Sequence, residues 1–229
     1  MPVCAICGTE IAPEASFCQA CGHALRTREV GWNYRISPTR IMVMSVLSWS
    51  LYLFYWMYLS WKHYRDHTRE QVYPIWHSLT IGVPIYGFFR AHAHARSYKE
   101  LMTLANIENT LDPGAVVKAL VAFWVLGVIE NTLIASETTQ LVATGTLLID
   151  ILSVVIVAWV LLHLQENINR YWYTVSNGVV QDARVGVGEV IFAIMGVFLW
   201  FDTFATLLSS DYRNAFELTA TLIRCCVAG

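Results

Sequence analysis

The sequence predicts an all-α integral membrane helical bundle of about five hydrophobic segments, preceded by a small cysteine-rich head. Three observations carry this expectation. Hydrophobic residues make up 56% of the 229 and charged residues only 14%, whereas a soluble domain carries about 25% charged residues. The mean hydropathy is +0.47, and the apolar excess is gathered into long runs. Four of the six cysteines fall within the first 21 residues. The formal net charge of −2 argues against an electrostatic nucleic-acid binder, which carries a basic excess or patch.

The cysteines are paired as Cys4-x-x-Cys7 and Cys18-x-x-Cys21, and each pair runs into a glycine, Gly8 or Gly22. Two intervening residues let both thiolates of a pair reach one tetrahedral Zn²⁺ at ~2.3 Å, and the glycine allows the sharp turn beneath them. This resembles the short zinc ribbons of many bacterial proteins. The expected cofactor is structural Zn²⁺ held by Cys4, Cys7, Cys18 and Cys21, since four thiolates leave no open position for catalysis. A disulfide-stapled knot is the alternative. No secretory signal stands before Cys4, which favours a reducing compartment and therefore the metal. With few apolar residues around it, the head is expected to fold only with metal bound.

The expected domains are a zinc ribbon over 1–25, a basic linker over 26–40, an aromatic-rich repeated membrane region over 41–111, and a three-helix membrane region with a short tail over 112–229. Five runs are apolar: Ile41–Trp61, Ile75–Phe89, Val116–Ala135, Leu141–Leu164 and Val190–Ser210. Roughly twenty helical residues cross a ~30 Å hydrocarbon core. The second run is shorter and holds Gly82 and Pro84, so it kinks, tilts or re-enters. The excess of Lys and Arg on cytoplasmic loops places the amino terminus in the cytoplasm of a bacterial inner membrane. Five crossings then leave Lys62, Arg65 and Arg69 outside. If the first two runs re-enter or lie at the interface, everything up to Lys118 is cytoplasmic and the charge rule is better satisfied.

An internal echo bears on this choice. Leu51–Tyr55 and Ile85–Phe89 match at an offset of 34, and the match continues through Lys62/Arg96, Tyr64/Tyr98, Arg65/Lys99 and Asp66/Glu100. Weak repeats of this kind are common in membrane folds. Two copies of an aromatic run followed by a basic helix place both basic tails on one side, which favours re-entry. The stretch Leu79–Arg90, its first copy around Leu51–Trp56 and the polar stretch Gln165–Trp172 resemble the bacterial membrane family called domain of unknown function 4234. The final tryptophan of its motif is met by Trp56 and replaced by Arg90 in the second copy. The resemblance spans about residues 37–210 and implies a membrane domain, but no activity.

Two constellations are chemically suggestive. His63 and His67 stand at i, i+4, with Asp66 and Glu70 nearby, and His92 and His94 follow the second run. They make a weak candidate for a second metal site, against the plainer reading of an interfacial polar helix. Glu130, Asp150 and Asp202 lie inside the last three apolar segments. Acids at that depth cost ~2.5–3.5 kcal/mol each and are expected to face protein, water or an ion. Helix rise puts them roughly 18, 22 and 20 Å from the inner boundary, in one layer with Asn131, Thr132, Thr146, Thr203 and Thr206 at similar height. Their plainer reading is a hydrated outer rim. Tyr171, Trp172 and Tyr173 read as an interfacial aromatic belt, and Cys225 and Cys226 as unreactive thiols in a short tail.

The expected function is a non-enzymatic membrane scaffold or accessory subunit, with the lipid bilayer as its solvent and a protein partner docked on the ribbon. The alternative is a small transporter or channel using the acid layer. A metal-dependent membrane enzyme comes third.

Overall fold

The computed structural model describes residues 7–10, 20–21, 32–136 and 139–215. Cys4, Cys18, Cys225 and Cys226 lie outside these. Strand β1 (Trp32–Arg35) is followed by α1 (Pro38–Leu47), α2 (Tyr52–Thr68), α3 (Pro74–Leu79), a 3₁₀ turn (Thr80–Gly82) and α4 (Tyr86–Leu104). Then come α5 (Pro113–Ser136), α6 (Gln140–Val175), β2 (Val180–Asp182) and α7 (Val187–Leu208).

Three helices, α5, α6 and α7, are long and apolar enough to cross a membrane. They correspond to the last three apolar runs. Residues such as Trp124, Val128, Ile194, Phe198 and Phe201 are exposed on α5 and α7. So many bare apolar side chains on one molecule mark a surface solvated by something other than water.

The first two apolar runs are not single helices. Ile41–Trp61 breaks at Ser48–Leu51, where Trp49 and Ser50 adopt left-handed backbone (φ 50° and 69°). The break has a local cause: serine side chains compete with the helical ladder. Here Ser48 Oγ accepts from the Tyr52 amide at 2.8 Å and starts a new helix. Ile75–Phe89 breaks at Pro84, which lacks an N–H and pushes the preceding residue out of the helical region; Val83 is extended at φ −83°, ψ 120°.

Each broken run forms a hairpin. α1 runs alongside α7, with Arg40 against Glu189 and the backbone of Leu47 and Ser48 against Gly196. A Cβ at Gly196 would stand 2.2 Å from Ser48 Cα, so this close approach requires glycine. After the turn, α2 travels back along α7, with Tyr55 against Gly188 and Phe192, and then along α6. α3 and α4 form the second such unit, with α3 packed on α2 and α4 chiefly on α5. The 34-residue echo is therefore structural. The equivalent residues Ser60 and His94 hydrogen-bond each other at 2.7 Å, and Tyr64 and Tyr98 meet edge to face at 5.7 Å. Contacts that advance together along both helices make α2 and α4 parallel, so both basic tails emerge at one end. Neither broken run contains a helix long and apolar enough to cross a membrane by itself.

α6 has 36 residues, about 54 Å of helix against a ~30 Å hydrocarbon core. Its carboxyl-terminal half leaves the apolar layer and becomes the spine of the core. Trp56, Tyr98, Leu161, Leu164 and Trp172 are fully buried around it. Trp172 and Tyr171 thus belong to the interior rather than to an interfacial belt, and only Tyr173 of that trio is exposed. The polar residues of the same stretch act as cross-links. Gln165 Oε1 accepts from Trp56 Nε1 at 2.7 Å, and Asn169 bonds both the amide and the carbonyl of Ile36. Residues 32–35, expected as linker, form β1, which pairs in parallel with β2.

Candidate functional site

Four elements converge on Asp150. α6 carries it, α5 carries Glu130, α7 carries Thr203, and the turn between α1 and α2 carries Trp49. Asp150 is 2% exposed. Its Oδ2 accepts from Thr203 Oγ1 at 3.1 Å, whereas its Oδ1 accepts no hydrogen bond from the protein. Glu130 and Trp49 lie within interaction range of this carboxyl, and Trp49 Nε1 is also without an acceptor.

Two cavities adjoin here and share Trp49, Glu130, Asn131 and Asp150 as walls. One, of about 270 Å³, lies between the hairpin turns and α5 and is mainly apolar. The other, of about 280 Å³, runs toward the α5–α6 loop and is also lined by Thr146, Asp202, Thr203 and Thr206. Among the described residues, no Lys or Arg lines either one. The three acids of the expected layer thus reach a common space, although they are not equivalent. Glu130 and Asp150 form a pair. Asp202 is exposed and accepts from Tyr212 OH at 2.6 Å.

The expected hydroxyl and amide partners divide in the same way. Only Thr203 bonds an acid of the pair. Thr146, Thr132 and Asn131 instead return hydrogen bonds to their own helices, at Ala143, Val128 and Gly127.

The histidines do not converge. Among the described residues there is no group of three or more His, Cys, Asp or Glu side chains arranged to hold a metal, and His63, His67, His92 and His94 are not brought together. His63 stacks on Tyr34 with centroids 4.2 Å apart. His67 Nε2 meets Tyr171 OH at 2.8 Å, His94 bonds Ser60, and His92 is exposed. Their spacing was set by core packing. Burial pushes His94 down to about 3, helped by His77, and His63 down to about 4, helped by Lys62.

A feature that sequence reasoning missed lies at the other end of α7. Glu189, 1% exposed, accepts from Arg40 Nε and Nη2 at 2.9 and 2.6 Å, from Tyr52 OH at 2.9 Å and from the Gly186 amide at 3.2 Å. Arg40 also donates to the carbonyls of Ala183 and Arg184. The two residues are 149 positions apart, and no local pattern announces their pairing. Of the four amino-terminal cysteines, Cys7 and Cys21 are exposed, and Gly8 has a left-handed φ of 71°.

No family model matches the chain, nor does any curated protein or solved structure.

Proposed function

We propose that this chain is a small integral membrane protein that takes up a proton or monovalent cation at the Glu130–Asp150 pair, as a transporter or channel does. The observation that carries this reading is Asp150 itself: a buried carboxyl inside an apolar helix, beside a second acid, with one oxygen left over by the protein. Two carboxylates in a low-dielectric setting with no basic side chain among the lining residues need a counter-charge. A proton or a cation arriving through the threonine-lined cavity supplies it.

The setting we infer is a bacterial inner membrane with the amino terminus in the cytoplasm. With both hairpins re-entrant, ten of the fifteen Lys and Arg precede α5, Lys118 lies near its start, Arg170 and Arg184 lie in the last turns of α6 and in the α6–α7 connection, and only Arg213 and Arg224 fall beyond α7. That distribution satisfies the charge rule better than five crossings do. The test is flux through proteoliposomes. Asp150→Asn, which keeps an acceptor for Thr203, is expected to lower proton or Na⁺ flux at least tenfold, and unchanged flux overturns the reading.

A second reading keeps the ribbon as a zinc-dependent docking module for a cytosolic protein, with no catalysis by the chain. The turn at Gly8 favours it, because a left-handed residue directly after Cys7 suits a metal knuckle. Metal analysis of the purified chain is expected to give one zinc per molecule, lost in a Cys4→Ser/Cys7→Ser variant. A metal-free wild type sinks this reading. The resemblance to domain of unknown function 4234 rests on its motif residues and adds no activity to either reading.

A further inference from the structure

We propose that the paired cavities bind a lipophilic organic monocation, with its apolar body between the hairpin turns and its charge against Glu130 and Asp150. This rests on the acid pair's being a cation site and adds the class of occupant. The argument is one of shape and chemistry. The larger part of the wall around the 270 Å³ cavity is aromatic or aliphatic, with Trp49, Phe54, Phe88, Phe123 and Trp124 around it and the two acids at one end. A hydrated metal ion has no use for such a wall. A cation carrying a ring or short alkyl groups does, because aromatic faces attract cations and its hydrocarbon fills the rest.

The acids alone would not make a site. What adds to them is Asp150, almost wholly buried, with Oδ1 unpartnered at the junction of both cavities. The hairpin turns supply the rest. Trp49 and Ser50 at the first and Ile85 beside the second hold left-handed backbone, a conformation non-glycine residues keep only where the surroundings impose it. The imposed turns present Trp49–Phe54 and Ile81–Pro84 to one space, which continuous helices would not do. Gly127 also lines that space, and a Cβ there would meet nothing within 4 Å. The position is therefore open toward added volume.

The test is equilibrium dialysis of radiolabelled benzyltrimethylammonium against the full chain in detergent, with neopentylbenzene as a neutral isostere. Saturable binding near one per chain is expected, uncompeted by the isostere and weakened at least tenfold by Asp150→Asn. Gly127→Leu, which adds volume inside the apolar cavity, is expected to weaken it similarly. A Glu130→Gln variant provides a second acid test should Asp150→Asn fail to fold. Absence of saturable binding, equal competition by the isostere, or wild-type affinity in Gly127→Leu overturns the inference. If benzyltrimethylammonium does not bind but flux remains sensitive to Asp150→Asn, the organic-cation assignment fails and the ion site stands. Loss of both results removes the two together.

Discussion

Glu189→Ala is expected to lower the unfolding free energy in detergent by about 3–5 kcal/mol, the cost of leaving one member of a buried ion pair without its partner. The carboxylate gathers four donors from three parts of the chain: the Arg40 guanidinium on α1, Tyr52 on α2, and the Gly186 amide that starts its own helix. Without it, Arg40 retains only the carbonyls of Ala183 and Arg184. The first hairpin is then held against α7 by the Gly196 contact, the Trp200 Nε1 hydrogen bond to the Val46 carbonyl and the packing of Tyr55 on Phe192. An Arg40→Met/Glu189→Leu double variant removes the stranded charge and is expected to recover more than half of the loss, since apolar replacements of buried pairs are often neutral. Thermal or denaturant unfolding of the three proteins decides the matter, and a Glu189→Ala midpoint equal to wild type refutes it.

The second large effect is one of pH. His63 and His94 are buried and neutral in the folded chain, lowered to about 4 and about 3, while an unfolded histidine titrates near 6.5. The unfolded chain therefore binds more protons below pH 6.5, and the stability slope with pH is positive there. This contribution is complete above the unfolded value. It is lost as pH falls from about 6.5 toward 4 for His63 and 3 for His94. At about 1.4 kcal/mol per unit for each group, the pair accounts for roughly 3–4 kcal/mol between pH 7 and pH 5, a large share of a typical net stability of 5–15 kcal/mol. Lys62 and Asp66 act on His63 in opposite senses, and His77 adds to the effect on His94. Unfolding midpoints measured from pH 7 to 5 are expected to fall steeply, and His94→Gln should remove about half of the slope. A flat profile contradicts the burial assignment.

Much of the membrane architecture was legible in the chain. Runs expected at 116–135, 141–164 and 190–210 appear as α5, α6 and α7, because twenty apolar residues in a row leave few other solutions. α6 extends well past its apolar run because Gln165, Asn167 and Asn169, polar by composition, spend their hydrogen bonds on Trp56, Thr110 and Ile36 instead of on water. Hydropathy alone also runs Ile41–Trp61 together. The break at Ser48–Leu51 depends on one serine oxygen and one backbone turn, which no window average registers. The echo between Leu51–Tyr55 and Ile85–Phe89 was the better guide, since it required two like units. The three acids of the layer line one cavity, but sequence spacing carries no rotation about each helix axis. Asp202 turns to Tyr212, whereas Glu130 and Asp150 share the walls of both cavities. Arg40 read as the flank of an apolar run, and its partner lay beyond any local pattern.

The meeting of Ser60 with His94 has a consequence for the duplicated unit. Two identical copies associating side by side about a shared axis would have to set serine against serine or histidine against histidine at that contact, and neither makes so good a donor–acceptor couple. Covalent fusion of the copies lifts the demand for self-complementarity. One half is free to specialise as the hydroxyl and the other as the imidazole, and a symmetric seam becomes a directional one.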